Sequence, residues 1–307
     1  MLGIVIANWN GERILQKCLE SLDNQTYKNF KIYIVDNGSK DNSIKIIKDF
    51  QKILNIHLVE LRENSGFAHA NNIGISTAIK EGCQYILTLN NDIEVEKNCL
   101  TNAFKVVENS KYDVFQLFMI NYFDREKCDA AGLIFKESLE VIQAGFKSDI
   151  KDIVDSNVKI DGPCAGAAIY SAKALEKVKL ENGDYFDSEF FAYYEDVDLA
   201  LRLKRSGYLS CLLKDSITYH MHSATSSKSN GFKEYYLSRN LFLYTKRNQK
   251  EINYKRNIKY YNIIIFKALI KSILRFNYKS IRSIAKGYRD GISKASNINY
   301  KRYPSEV

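Results

Sequence analysis

Residues 3–7 (Gly-Ile-Val-Ile-Ala) form a short apolar run without polar interruption, the pattern of a strand covered on both faces. A helical period follows over 12–22, where Ile14, Leu15, Cys18, Leu19 and Leu22 share one face. The run 31–35 predicts a second strand. Asp41 and Asn42 offer caps to a helix reaching Phe50, with Ile44 and Ile47 turned inward and Ile46 and Phe50 flanking them. Residues 57–61 read as a third strand and 67–80 as a helix stopped by Gly82. Residues 85–89 read as a fourth strand and 95–109 as a further helix. This alternation predicts an α/β fold whose sheet is mostly parallel, with helices on both faces. Ligands of such sheets meet the chain beyond the carboxyl ends of strands, here the segments after Val35 and Leu89.

The rhythm loosens from 112 to 170. Residues 114–120 and 131–135 read as strands, and 162–170 as a small-residue turn running into a strand. Helices are expected over 171–178 and 195–206, and two short strands over 209–213 and 216–220. Past Ser223 the pattern becomes helical and basic. We therefore expect a domain of residues 1–225 and a basic helical region of residues 226–307.

The 307 residues are 45% hydrophobic and 26% charged, which supports a sizeable core in a globular protein. No run approaches the roughly 18 apolar residues of a membrane span. No basic, then apolar, leader precedes the first strand. The six cysteines contain no C-x-x-C pair, so neither a zinc ribbon nor a thioredoxin-type site is indicated, and reduced thiols are expected. The net charge of +9 is uneven. Residues 255–303 hold thirteen Lys and Arg against the single acid Asp290, while residues 1–254 are near neutral.

Four polar segments interrupt these elements. Asp36-Asn37-Gly38-Ser39 ends a strand, where a carboxylate can accept from a base or ribose; an ordinary Asx turn explains the same residues. Asn64-Ser65-Gly66 opens a helix, whose free N–H groups favour oxygen-rich ligands; simple capping is the alternative. Asn90-Asn91-Asp92 abruptly follows an apolar strand. Asp92 suits a hard cation such as Mg²⁺ or Mn²⁺, and Asn90 a ribose. Tyr194-Glu195-Asp196-Val197-Asp198 places three acids at a helix start after several aromatics. They suit the helix dipole there, or repulsion and desolvation raise one pKa toward that of a general base. Arg202, one turn on, can hold Asp198. His220 and His222 alternate onto one face of an extended chain, as structural residues or metal contacts. Together these segments point to an enzyme that binds a nucleotide-sugar and a divalent metal.

In this order, V-D-N-G-S, N-S-G-F, N-N-D in place of D-x-D, and E-D-V-D-L resemble family 2 glycosyltransferases with the GT-A (Rossmann-like) fold. H-x-x-S-A-T at 220–225, Y-Y-x-x-R-N at 235–240 and G-Y-R-D-G at 287–291 are similar to the bacterial rhamnosyltransferase branch. The resemblance implies nucleotide-sugar contacts at Asn8, Asp36, Asn64, Gly66, Asn90 and Asn91, with Asp36 on the base. It implies Mn²⁺ or Mg²⁺ on Asp92, with His220 as a further contact. It makes Asp196 the catalytic base. Gly162, Cys164, Ala165, Gly166, Glu195 and Asp198 would shape the donor and acceptor pocket. Asn90 stands where the family has the first acid of D-x-D, leaving one carboxylate fewer. The implied reaction is direct displacement with inversion, from a dTDP- or UDP-linked donor to a glycan or lipid-linked acceptor in cell-surface polysaccharide synthesis.

A nicotinamide-dependent dehydrogenase needs G-x-G-x-x-G after the first strand, where this chain reads Ala7-Asn8-Trp9-Asn10-Gly11. A processive synthase is expected to carry Q-x-x-R-W and membrane spans, yet Trp9 is the single tryptophan. The basic tail leaves a binding protein with a non-catalytic core as the alternative. Its apolar positions, Ile263 to Phe266 and Ala268 to Ile270, disfavour nucleic acid and favour an anionic membrane. A solvated basic face accounts for the same charge. The membrane reading places the protein in the cytoplasm, peripheral at the inner face of the cell membrane.

Overall fold

The computed structural model describes residues 1–136, 140–221, 231–249 and 251–298. β1 (Leu2–Asn8) leads through α1 (Leu15–Asp23) to β2 (Phe30–Asp36). α2 (Ser43–Phe50) leads to β3 (Ile56–Glu60), and α3 (Phe67–Lys80) to β4 (Tyr85–Leu89). These strands run parallel in the order β3-β2-β1-β4, as the alternating pattern predicts. Next come β5 (Ile93–Val95), α4 (Cys99–Val107), β6 (Val114–Asn121), β7 (Cys128–Ala130), and a hairpin of β8 (Leu133–Phe135) and β9 (Val141–Gln143). α5 (Ile150–Asp155), β10 (Ala167–Ser171), α6 (Ala172–Lys177), a 3-10 turn (Ser188–Phe190), α7 (Glu195–Arg205) and β11 (Ser210–His220) complete this part.

The second half of the sheet is mixed. β10 runs antiparallel to both β4 and β6, β11 is parallel to β6, and β5 closes the edge antiparallel to β11. The reversal of β10 has a consequence for the ligand edge. Ala167 pairs with Leu89, so the turn before β10 arrives at the carboxyl end of β4, where Asn90 N–H donates to Gly166 O at 2.8 Å.

Strand alternation divides the core in two. Leu2, Ile4 and Ile6 of β1 point to α1, α2 and α4, while Val5, Tyr33 and Ile86 face α3, α6 and α7. Three expected elements change. Val95 pairs with Thr218 as the end of β5, so the helix expected from residue 95 starts at Cys99. The strand expected over 131–135 is shortened to β8 from Leu133, with Ala131 and Gly132 in the link after β7. The two strands expected over 209–220 are one, interrupted by a bulge between Leu213 and Ile217.

α8 (Phe232–Asn248), α9 (Glu251–Leu274) and α10 (Tyr278–Ser296) form the tail. The G-Y-R-D-G segment explains how α10 lies on α8. A Cβ at Gly287 would stand 2.3 Å from Tyr235 O, and one at Gly291 would stand 2.7 Å from Arg239 O. The Tyr235 hydroxyl also donates to Asp290 Oδ2 at 2.9 Å. His222 and the rest of its motif through Thr225 lie outside the described residues.

Candidate active site

A cleft of about 660 Å³ opens at the carboxyl ends of β1 and β4. Of the residues predicted from sequence, Asn8, Asn64, Asn90, Asn91, Asp92, Cys164, Ala165, Gly166, Glu195, Asp196 and His220 all line it. Asp36, Gly66, Gly162 and Asp198 do not.

The first wall is a network of amides. Asp36 is fully buried and accepts from Asn8 Nδ2 at 2.8 Å, Ser39 N–H at 2.9 Å and the Ser39 hydroxyl at 2.7 Å. Its oxygens are thus engaged behind the wall, and Asn8 stands in front. Asn91 Nδ2 donates to Asn8 Oδ1 at 2.8 Å, which couples the ends of β1 and β4. Asn37, given no role in the sequence reading of the 36–39 segment, lines the cleft and donates to Asn64 Oδ1 at 3.0 Å. Gly66 has φ +96°, and a Cβ there would lie 2.7 Å from the Phe191 ring and carbonyl. Its contribution is room for Phe191 rather than a surface for ligand.

The second wall carries the charge. His220 Nε2 lies 3.2 Å from Asp92 Oδ1, and its Nδ1 lies 2.7 Å from Asp129 Oδ2. Burial lowers the His220 pKa, but hydrogen bonds with Asp129 and Asp92 outweigh it and raise it to about 9. Asp129 was missed in the sequence; its only signal is an acid between Cys128 and Ala130 in a buried stretch. Asn90 Oδ1 is buried and has no hydrogen-bond partner among the described residues. No set of three or more His, Cys, Asp or Glu side chains among the described residues is placed to hold a metal ion. One carboxylate, an uncommitted amide oxygen and His220, once its imidazolium proton is displaced, nonetheless suit a divalent cation whose remaining ligands would be phosphate oxygens.

The third wall is the start of α7. The Asp196 carboxylate accepts from Val197 N–H at 2.8 Å and Ala165 N–H at 3.3 Å. Burial raises its pKa, and these amides pull it back. The Cys164 thiol, held protonated by burial and then by the charge of Asp196, also hydrogen-bonds to it. Glu195 Oε2 is buried with no partner among the described residues. Burial, then repulsion from Asp196, pushes its carboxyl well above the usual range. Of the two neighbours, Asp196 is the one whose charge is supported by backbone amides, and Glu195 Oε2 has no such support.

Asp198 turns the other way. It is buried against Arg202 Nε at 2.9 Å and accepts from Asn248 Nδ2 at 3.1 Å, while Arg202 also donates to the carbonyls of Val178 and Tyr185. The expected pocket role gives way to a buried ion pair that ties α7 to α8. Asp198→Ala is expected to destabilise the protein by about 3–5 kcal/mol, since Arg202 would stay buried without its partner. Urea denaturation measures this; unchanged stability would remove the structural role. Gly162 likewise sits under α7, where a Cβ would stand 2.4 Å from Ala200 Cβ.

The roof was not legible in the sequence. Phe191, Ala192, Tyr193 and Tyr194 line the cleft together with Phe232, Lys233 and Leu237 from α8. Phe191 stacks on Tyr236 with centroids 5.1 Å apart and planes at 7°. The expected division near 225 thus runs between elements that share one cleft.

The model of the family "Glycosyl transferase family 2" matches residues 3–179. The chain is 29% identical over 274 residues to rhamnosyltransferase WbbL of Escherichia coli, covering 83% of this chain and 97% of that one. It is 24% identical over 261 residues to dTDP-rhamnosyl transferase RfbF of Shigella flexneri, covering 80% and 79%. A 130-residue stretch is 31% identical to glycosyltransferase GlyG of Streptococcus pneumoniae, covering 42% of this chain and 41% of that relative's length. Among solved structures, S. aureus TarS 1–349 in complex with UDP-GlcNAc superposes with a TM-score of 0.61 at 17% identity, over 96% of this chain and 82% of that one. Mannosyltransferase PcManGT from Pyrobaculum calidifontis, in complex with GDP-Man and Mn2+, gives 0.56 at 14% identity, over 96% and 77%. The fold is the GT-A fold. Because the family model spans more than half of the chain, the protein belongs to glycosyl transferase family 2.

Proposed function

We propose that this protein transfers a sugar from a nucleotide-diphosphate donor to an acceptor hydroxyl with inversion at the anomeric carbon, serving cell-surface polysaccharide synthesis. The observation that carries the reading is the placement of Asp196, its carboxylate held by two backbone amides, in the same cleft as the Asp92–His220 pair. Asn8, Asn37, Asn64 and Asn91 supply neutral donors and acceptors along the wall for the nucleoside. Asp196, held by two backbone amides, accepts the acceptor's proton as its oxygen attacks. Asp92 and His220, with Asn90 Oδ1 beside Asp92 in sequence, are the residues that would hold Mn²⁺ or Mg²⁺. When bound, such a cation offsets charge on the departing diphosphate. The roof aromatics exclude water from the reacting atoms.

The rhamnosyltransferase relatives make dTDP-linked rhamnose the first donor to test, with UDP-linked hexoses second. A thermal-shift panel of nucleotide-sugars with and without Mn²⁺ tests the reading. A matched donor raises the melting temperature, because a ligand specific to the folded state stabilises it by mass action. A panel without any shift, and without turnover, would overturn it.

The same reading gives the tail a partner. Ile263, Ile264, Phe266, Ile270, Ile273 and Leu274 of α9 are exposed, with Leu274 74% and Ile273 55% accessible. Lys255, Arg256, Lys259, Lys267, Lys271 and Arg275 interleave with them. Among the described residues no helix is long and apolar enough to cross a membrane. This surface suits an anionic lipid face carrying the acceptor, since each Lys or Arg near it is worth about 1 kcal/mol. The protein is expected to co-sediment with anionic vesicles, less at high salt, and not with neutral ones. Ile273→Glu with Leu274→Glu should reduce that binding. Equal recovery in the supernatant with and without anionic vesicles would refute the membrane role.

A further inference from the structure

The chain leading to Glu195 and Asp196 is held in a conformation its own sequence disfavours. Phe191 has φ +65° and ψ −58°, and Ala192 N–H donates back to Phe190 O at 2.7 Å. That closes a three-residue turn of the rare, strained hand. Tyr193 and Tyr194 follow at φ +66° and +74°, and Tyr194 caps α7 directly before Glu195 and Asp196. Three bulky residues in the left-handed region persist only where surroundings impose them.

The imposition comes from two residues of α8. Asn240 is fully buried, and its Nδ2 faces the carbonyls of Phe190, Ala192 and Tyr193 at 3.0, 2.8 and 2.7 Å. Arg239, 6% exposed, donates through Nη2 to the carbonyls of Glu189 and Phe190, each at 2.7 Å. Its Nε donates to Asn240 Oδ1 at 2.8 Å, which fixes the amide with its N–H groups toward the loop. The base of the loop is pinned on either side. Arg247 pairs with Asp187 and Glu189, and Asn72 bonds to the backbone of Tyr185 and Phe186. From α3, Ala68 N–H donates to Phe191 O at 3.2 Å.

We infer that Arg239 and Asn240 are positioning residues: by clamping the carbonyls of residues 189, 190, 192 and 193 they hold the strained roof and set Asp196 toward the acceptor. This rests on the glycosyl-transfer reading for its catalytic consequence, while the clamp itself rests on geometry. It also gives the Y-Y-x-x-R-N segment a physical task. An aspartate at 240 would aim oxygens at three carbonyls, so Asn240→Asp reverses the contact with almost no change in shape. Arg239→Lys keeps the charge but loses the fork.

Both variants, made in the full chain, can be tested with limited chymotrypsin digestion, because the loop is rich in its target residues. Folded Asn240→Asp should be cut after residues 190–194 at least about tenfold faster than wild type, as the opened state gains population. Its kcat on the best donor of the panel should fall about 10- to 100-fold, the scale of a small misplacement of a reacting group. UDP or dTDP affinity by calorimetry should stay within about twofold. Arg239→Lys should show the same split, more mildly, and decides the matter where Asn240→Asp does not fold. Folded variants with wild-type cleavage and wild-type kcat would overturn the clamp. So would fast amide hydrogen exchange across 190–196 in the wild type, whatever the variants do. If wild type turns over no nucleotide-sugar, the transfer reading fails, while proteolysis and exchange still decide the clamp.

Discussion

Asp196→Asn is expected to lower turnover by about 100-fold or more while leaving nucleotide-sugar binding nearly intact. The substitution keeps size and shape but cannot take the acceptor's proton. The three acids of the α7 start are sorted by what surrounds them. Asp198 is committed to Arg202 and Asn248. Glu195 has a buried Oε2 with no hydrogen-bond partner among the described residues, and burial and then Asp196 push its carboxyl toward the neutral form. Asp196 is the one whose charge two backbone amides support. Its pKa, raised by burial, places the acid limb of kcat/KM above the ordinary carboxylate range. Activity is therefore lost as pH falls through that raised value, because the base must be unprotonated. The limb should vanish in Asp196→Asn. Wild-type turnover in the variant would move the role to a neighbour, and a product with retained anomeric configuration would remove direct displacement altogether.

What the sequence could show follows from how local each feature is. The β1–β4 alternation was legible because apolar runs and helical faces are short-range patterns; in α2 the inward face is set by Ile47, with Ile46 and Phe50 packed on the core, while Ile44, expected inward, stays half-buried. The polar breaks at Asn90-Asn91-Asp92 and Glu195-Asp196 were legible for the same reason. The pairing of Asp129 with His220 was not, since the two are 91 residues apart and meet only because β7 and β11 both pair with β6. Asp36 looked like a ligand contact because a strand-end carboxylate is ambiguous until its neighbours are known; Asn8 and Ser39 occupy its oxygens. The strand over Ile93–Val95 escaped notice because its partner, Thr218 to His220, lies more than a hundred residues on. The Y-Y-x-x-R-N segment could be seen as a motif, but its targets are backbone carbonyls, which carry no side-chain signature at all.

Asp92→Ala is expected to abolish the metal-dependent part of UDP or dTDP binding. Asp92 closes the polar break after β4, is 8% exposed, and faces His220 Nε2 at 3.2 Å. Under the proposed reading, one carboxylate and one imidazole would be the protein's share of a cation site, and the diphosphate would supply the remaining oxygens. A site with so few protein donors should bind metal weakly without nucleotide and more tightly with it. Calorimetry with and without Mn²⁺ reads this directly, each tenfold change in affinity corresponding to about 1.4 kcal/mol. Asp129→Asn provides an independent arm. Asp129 touches His220 Nδ1 at 2.7 Å and sets which ring nitrogen faces Asp92, so its loss should weaken metal-assisted binding by about 10- to 100-fold. Chelation by EDTA should reproduce the Asp92→Ala result in the wild type. Binding and turnover unchanged by EDTA would refute the cation site, and the Asp92–His220–Asp129 chain would then stand as a buried charge network that shapes the cleft wall.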